Sequence, residues 1–311
     1  MRFKGLDLNL LVALDALLTE MNVSVAARRI FLSQSAMSGA LARLRDHFQD
    51  ELLVPLGRRL VLTAFAESIV EPVHQLMLQI EATVDTGNAF DPTTSRRTFK
   101  LAVSDYMTEL LLPQVAAMVA KAAPAVMLDI IAPDGMAPEM IENGSIDISI
   151  VSEHALSPLH PFEFLAEESH VIIGCRTNRI LQEPISTEDF FDIGRVVGRF
   201  GKRRALSFGE MQLHRFPYKQ KIELVTPSFI AIPKFLIETE RVALVNKALA
   251  NFYTSTLPLT SAPLPFYLKP LQIVLQHHTV RMSDSGVQWL KSVIREAVAA
   301  PDYWYNRANR P

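Results

Sequence analysis

The sequence predicts a composite fold: an all-α winged helix-turn-helix head, a single linker helix, and an α/β body. Three observations predict it. Two short helical patterns joined by a tight turn, then a basic hairpin, occupy Val23 to Thr63 (VSVAARRIFLSQSAMSGALARLRDHFQDELLVPLGRRLVLT). A heptad-spaced apolar seam runs over residues 64–86. Beyond a Gly/Pro/Ser/Thr loop, the texture changes to alternating strand and helix patterns.

The head begins with a helix from about Leu8 to Thr19, which Asp7 is placed to cap. Leu10, Leu11, Leu14, Leu17 and Leu18 form its apolar stripe. Asn22 or Ser24 starts the next helix, Ser24 being the better cap, and the helix ends near Ile30. Val25, Ala26 and Ala27 are small enough there to admit a close neighbour. Ser33 caps a third helix from Gln34 to about Phe48. Met37, Leu41 and Leu44 fall at i, i+4 and i+7 and make one buried face. Gln34, Ser35, Ser38, Ala42 and Arg45 are left outward. A Gln there can pair with an adenine edge, a Ser can bond a base or a phosphate, and the helix N-terminus attracts phosphate. The same pattern fits an ordinary amphipathic helix with a wet face. The hairpin tips the balance. Leu52-Leu53-Val54 and Leu60-Val61-Leu62 flank a turn that carries Arg58 and Arg59, suited to phosphate or an adjacent minor groove.

In the linker, Ile69, Val73, Leu76 and Ile80 step by four, three and four. The helix would span roughly 33 Å. A lone helix cannot bury such a seam, so it reads as a dimerisation stalk, with Pro72 a point of kinking. Residues 87–97, GNAFDPTTSRR, are a loop and the main boundary.

In the body, strands are expected at Phe99–Ser104, Val126–Ala132, Asp147–Ser152, His170–Cys175, Arg195–Arg199, Ile222–Thr226, Val242–Asn246 and Leu271–Gln276. Helices are expected at about 106–122, 135–143, 187–192, 205–214, 228–239, 247–252 and 284–299, with Pro113 and Pro233 inside two of them. This is an α/β pattern with a largely parallel sheet, and eight strands are many for one sheet, which points to two lobes.

Composition narrows the function. Residues 1–63 carry eight Lys/Arg against six Asp/Glu, a net +2, which leaves −4 for the rest of a chain whose net charge is −2. This permits a nucleic-acid-binding head on an acidic body. The N-terminus lacks a cleavable signal and no apolar run suffices to span a bilayer, so a cytoplasmic protein is expected. The single Cys175 excludes an internal disulfide and reads as a small apolar residue in a strand. GxSxG, HExxH, P-loop and GxGxxG motifs are all missing, so no enzyme and no cofactor is expected. His277 and His278 are adjacent in a strand and point to opposite sides, so no metal is expected either.

Residues Ser24 to Thr63 resemble the LysR-type transcriptional regulators. The resemblance is carried by Ala26-Ala27, Ser33-Gln34-Ser35-Ala36-Met37-Ser38, Leu41 with Leu44, and Arg58-Arg59 to Thr63. Arg45, Leu53 and Ser35 stand where the family usually has an acidic residue, a Phe and a Pro. The resemblance covers the chain in layout and implies a two-lobed, periplasmic-binding-protein-like effector domain. It implies DNA contacts from Ser33, Gln34, Ser35, Ser38, Arg58, Arg59 and Thr63. It divides the chain into a head (1–63), a dimerising linker helix (64–87), a hinge (88–97) and an effector domain (98–311). In the effector domain, lobe 1 is about 98–166 with 269–311, and lobe 2 is about 167–268.

Narrower similarities suggest the effector. MRFKGLDLNLLVALDALLTE resembles the start of the nodulation-gene activators that respond to flavonoids. TSRRTFKLAVSDYMTELLLP resembles regulators of naphthalene, nitrotoluene and chlorophenol breakdown. Both groups respond to aromatic molecules, so an aromatic inducer is favoured, with flavonoid and simple phenolic or aromatic acid both open. The pocket expected from this resemblance, between the lobes, uses Ser104, Asp105, His170, Thr226, Ser228 and Phe229. Four of these also have a plainer reading: Ser104 or Asp105 as helix cap, His170 as a strand-edge residue, Phe229 as core.

The expected protein is a DNA-binding regulator, read as an activator. Its expected partners are promoter DNA, a small aromatic effector and itself, as a dimer through the linker helix and a homotetramer. RNA polymerase stands as a further partner, and no membrane is involved. The rivals are a family member with a non-aromatic effector, a solute-binding protein without DNA function, and an enzyme on an α/β scaffold.

Overall fold

The computed structural model describes residues 2, 3, 6–85 and 90–300. Residues 86–89, assigned above to the end of the linker helix and the start of the hinge, lie outside the described residues, as does the end of the effector domain from 301. The chain divides into two compact units, Met1–Asn88 and Ala89–Pro311.

In the first unit, β1 (Arg2–Phe3) pairs with β2 (Leu6–Asp7), followed by α1 (Asn9–Glu20), α2 (Val23–Arg29) and α3 (Gln34–Phe48). Leu10, Leu11, Leu14, Leu17 and Leu18 of α1 are all buried, and so are Ala26, Ala27, Met37, Leu41 and Leu44. Two of the three expected caps are not used as expected. Asp7 does not cap α1 in the usual way. Leu8 occupies the cap, and Asp7 Oδ1 instead accepts from the Asn9 amide at 3.1 Å. Asn22, not Ser24, caps α2: its extended backbone lets Oδ1 accept from the amides of Ser24 and Val25 at 3.0 and 3.1 Å. The hairpin consists of β3 (Leu53–Leu56) and β4 (Arg59–Leu62), paired antiparallel with Leu56 opposite Arg59. The turn is therefore only Gly57-Arg58, with Gly57 at φ +63°, and Arg59 lies in the ladder rather than at the tip.

Helix α4 (Ala64–Asp85) runs through Pro72. Its seam divides. Ile69 and Val73 pack into the core of the head, whereas Leu76 and Ile80 are exposed. His74 Nδ1 lies 2.7 Å from Asp15 Oδ1 of α1, which ties the lower half of the helix to the head.

The second unit has two sheets. The first contains β5 (Thr98–Val103), β6 (Met127–Ile131), β7 (Ile148–Ser152), β8 (Phe162–Glu168) and β15 (Leu271–Gln276), in the order β6-β5-β7-β15-β8. The second has β9 (His170–Cys175), β10 (Arg195–Phe200), β11 (Ala205–Leu206), β12 (Ile222–Thr226), β13 (Val242–Asn246) and β14 (Leu259–Ala262). Its order is β11-β10-β13-β9-β14, with β12 on β10. The helices are α5 (Asp105–Leu110), α6 (Leu112–Ala122), α7 (Ala137–Glu142), α8 (Thr187–Asp192), α9 (Phe208–Leu213), α10 (Lys247–Thr256) and α11 (Ser285–Ala299).

Three expectations need correction. The sheets are mixed, not largely parallel. β8, β9, β14 and β15 make antiparallel ladders, because β8 to β9 and the return into β15 carry the chain from one sheet to the other. The helix expected over 106–122 breaks at Leu111, where Pro113 has no N–H to give and its ring meets the preceding turn. The helix expected over 228–239 is only a 3₁₀ turn, Ile232–Leu236, with Pro233 at its start. One apolar cluster runs from Phe99 and Leu101 of the first sheet to Ile173, Val196 and Ala243 of the second.

Candidate nucleic-acid interface and effector cleft

The head presents α3 as its outward element. Ser33 Oγ accepts from the Ala36 amide at 3.1 Å, which caps the helix, and lies 3.0 Å from Ser35 Oγ. Gln34, Ser35 and Ser38 are exposed while Met37, Ala40, Leu41 and Leu44 are buried. The amphipathic pattern therefore puts the polar positions on one free face. Arg58 and Arg59 of the hairpin are exposed as well.

Arg45 belongs to the framework. Its Nε donates to the Glu51 carbonyl and its Nη2 to the Leu53 carbonyl, both at 2.8 Å, so α3 holds the start of the hairpin. Thr63 is also committed. Its hydroxyl donates to Asp50 Oδ1 at 2.6 Å and accepts from the Ala66 amide at 3.0 Å, while the same Asp50 oxygen accepts from the Leu52 amide at 2.7 Å. The hydroxyl thus joins the end of α3, the hairpin and the first turn of α4.

In the second unit, the C-terminal ends of β5, β10 and β12 face one another across the two sheets. Ser104 caps α5, its Oγ accepting weakly from Met107 N at 3.4 Å. Asp105 Oδ1 accepts from the Tyr106 amide at 2.8 Å. Its Oδ2 crosses to the other lobe, where Ser228 Oγ donates at 2.7 Å. Thr226 is buried at the end of β12, and its hydroxyl lies 3.4 Å from the Ser228 amide. The Phe229 ring stacks on Phe200 at 4.1 Å and lies 6.2 Å from Tyr106. Asp105, Thr226, Ser228 and Phe229 therefore meet, with Ser104 one residue away. Gly201, at φ +65°, lets the loop after β10 close on the loop after β6. A Cβ there would stand 2.2 Å from the Asp134 carbonyl oxygen.

His170 belongs to a neighbouring group. Its ring lies against Gly209, where a Cβ would come within 2.7 Å of Cδ2. Phe208 stands 6.1 Å from the ring and itself touches His154, of the other lobe, at 4.1 Å. Burial pushes the imidazole down to about 4, so it is neutral at pH 7. Asn246 stands directly opposite His170 in the β9–β13 ladder. His170 Nδ1 and Asn246 Nδ2 are both buried and have no hydrogen-bond partner among the described residues. Residue patterns do not reveal Asn246, Phe208 or His154, because single residues at strand and helix ends leave no periodic signal. Nor do they reveal Arg195, fully buried, whose guanidinium forks onto Glu210 at 3.1 Å for each oxygen and fixes α9 to β10.

A cavity of about 570 Å³ lies elsewhere, at the other end of the second sheet, walled by Arg179, Asp192, Lys221, Glu223 and Arg241 among others. Arg241 and Glu223 pair at 3.0 Å, and no aromatic side chain lines it.

Residues 8–67 match the model of the bacterial regulatory helix-turn-helix protein, lysR family, and residues 93–299 that of the LysR substrate binding domain. The chain belongs to the LysR family. Nodulation protein D of Bradyrhizobium sp. (strain ANU 289) is 38% identical over 300 residues, which covers 95% of this chain and 88% of that protein. A probable transcriptional regulator from Pseudomonas aeruginosa superposes with a TM-score of 0.64 at 25% identity, covering 94% of this chain and 97% of that one. Full-length OxyR from Pseudomonas aeruginosa shares the fold, with a TM-score of 0.75 at 14% identity over 98% and 99% of the two chains. This LysR-family protein is thus a DNA-binding transcriptional regulator with a substrate-binding domain. Among the described residues no helix is long and apolar enough to cross a membrane.

Proposed function

We propose that this LysR-family regulator reads promoter DNA with Gln34, Ser35 and Ser38 in the major groove, and holds phosphate with Ser33, Arg58 and Arg59. Thr63 acts by fixing the hairpin. Its effector is a small aromatic molecule bound between the lobes, beside Ser104, Asp105, Thr226, Ser228 and Phe229, with His170 and Asn246 as a polar end. Lobe 1 is about 98–166 with 269–311, and lobe 2 is about 167–268.

The observation that carries the effector reading is the Asp105–Ser228 bond between lobes beside the Phe200–Phe229 stack. A ring entering here meets aromatic faces, and its polar substituent meets two buried groups that need partners. A neutral imidazole and an amide suit a phenolic hydroxyl or a ring carbonyl. The similarity to Nodulation protein D supports an aromatic inducer of the kind that resemblance implies.

Dimerisation through α4 is supported by Leu76 and Ile80, which lie exposed on one apolar seam. A tetramer and contact with RNA polymerase complete the activator reading, in the cytoplasm. Effector binding that favours one arrangement of the heads is reciprocally strengthened by DNA that favours it.

The test is a gel shift on the intergenic DNA upstream of the coding sequence, with a thermal-shift screen of flavonoids, chlorophenols and salicylate-like acids. A specific shift is expected, together with a thermal response that Ser104→Ala and His170→Ala diminish. No specific shift would overturn the DNA reading, and an unchanged response in both variants would remove the pocket.

A further inference from the structure

Phe31 occupies the turn between α2 and α3, two residues before the cap of the recognition helix. The residue is 95% exposed, more than any other large apolar residue among the described residues. Its backbone lies at φ +57°, a region that bulky L-residues rarely adopt. The turn is firmly held. The Phe31 amide donates to the Arg28 carbonyl at 3.3 Å and the Leu32 amide to the Ala27 carbonyl at 2.9 Å. Ala27 is itself buried in the core of the head.

Surface apolar residues standing singly are ordinary. Here two costs coincide at one position: left-handed strain, and an aromatic ring that buries nothing in the folded chain. A Gly or an Asn would satisfy the same turn without either cost. Strain that packing does not offset points to a use for the side chain outside the fold. The surroundings identify the kind of partner. Arg28, three residues before Phe31, and Gln34 and Ser35, three and four residues after it, are exposed as well, so the chain on both sides of the ring carries polar groups suited to a duplex. In the major groove the one apolar feature that distinguishes a base pair is the 5-methyl group of thymine, and a Phe edge is a fitting contact for it.

We propose that Phe31 is a specificity-determining residue that packs on a thymine methyl at the edge of the site read by α3. The proposal rests on the reading that the N-terminal turn of α3 enters the major groove. It adds an apolar contact from the turn to the hydrogen bonds from the helix.

The test uses the full chain and the footprinted upstream intergenic DNA. Each thymine of the protected site is replaced in turn by uracil, which removes only the methyl. Wild-type protein is expected to lose affinity at one thymine per half-site. Phe31→Ala is expected to bind the all-thymine duplex about five- to tenfold more weakly, with no further loss on that uracil duplex. Its affinity for random DNA and its thermal midpoint stay at wild-type values, since the ring covers nothing. Three outcomes overturn the proposal: wild-type affinity in Phe31→Ala, an equal loss on random DNA, or no uracil position that couples. Loss of transcription with intact DNA binding would also overturn it, and would assign the ring to a protein partner instead. Gln34→Ala, run in parallel, separates the two readings. If it too binds normally, the recognition-helix assignment falls. If it alone binds weakly, only the Phe31 contact falls.

Discussion

Ser228 Oγ donates to Asp105 Oδ2 at 2.7 Å, so one lobe of the effector domain is bonded to the other through the residues expected to meet the ligand. The Ile230 amide, at 3.5 Å, faces the same oxygen. A carboxylate that by charge alone would repel an anionic effector is thus engaged in closure. A hydrogen bond to a charged group contributes about 1.5–3 kcal/mol, less where water reaches it. In a double-mutant cycle, Asp105→Asn and Ser228→Ala should couple by roughly 1–2 kcal/mol in thermal unfolding, and each should raise protease cleavage between the lobes. Strictly additive effects would mean that this bond does not hold the lobes together.

Arg45 predicts the behaviour of the hairpin. Arg45→Ala removes the donor to the carbonyls of Glu51 and Leu53, the second of these on a buried residue. The head should lose roughly 1–2 kcal/mol, read as a lower denaturant midpoint at unchanged slope. Arg45→Lys should recover little, because a single ammonium does not reproduce the two-directional fork. Full recovery by lysine would show that charge, rather than geometry, is what Arg45 supplies.

Arg58 lies on the exposed turn of the hairpin, where its replacement leaves the fold undisturbed. Arg58→Ala should weaken operator and random DNA alike and reduce the slope of log K against log salt by about one. Gln34→Ala should instead cost about 1–3 kcal/mol on the operator and relax sequence preference. Reversed behaviour of the two variants would exchange their roles.

Glu168 gives the fold a dependence on pH. It is buried at the crossing from β8 to β9, and its Oε2 accepts from the Ala248 amide at 3.3 Å. Burial pushes its carboxyl from 4.5 up to about 8. The folded state then holds a proton that the unfolded state releases, so stability falls as pH rises from 4.5 through 8. His170 acts with the opposite sign. Its depressed value makes stability fall as pH drops from 6.5 toward 4. Between pH 6.5 and 8 Glu168 acts alone of the two. Glu168→Gln should flatten the decline there by up to about one proton. An unaltered slope in chemical unfolding across that window would show that Glu168 is already ionised in the folded protein.

The head is legible in the sequence because its constraints are local and periodic. Met37, Leu41 and Leu44 announce a buried face, and the exposure of Gln34, Ser35 and Ser38 follows from the same spacing. Even there, a cap depends on one backbone angle: Asn22 is extended and Ser24 already helical, a difference the residue types do not encode. In the body, β8 has no clear strand signature because its charges, Glu163, Glu167 and Glu168, break an apolar pattern. They sit there for different reasons, Glu163 as the partner of Lys291 and Glu168 buried at the crossing. The cleft is half legible. Asp105 and Ser228 stand just past strand ends in a way the element pattern shows, but their meeting joins positions 123 apart in sequence. Nothing local marks Asn246 as the cross-strand neighbour of His170 either. That pairing follows from the antiparallel register of β9 and β13.

One oxygen of Asp50 and the hydroxyl of Thr63 hold the end of α3, the hairpin and the first turn of α4 at a single knot. The first turn of α4 is thereby bonded directly to the end of α3, the helix proposed to read the duplex. On the proposed reading, the head then works as a lever, in which a twist of the first turn of α4 turns α3 with it. In such a device the message that reaches the promoter is an angle. Weakening the knot, as Thr63→Val would, adds slack, so that the molecule still grips its site but answers its inducer faintly.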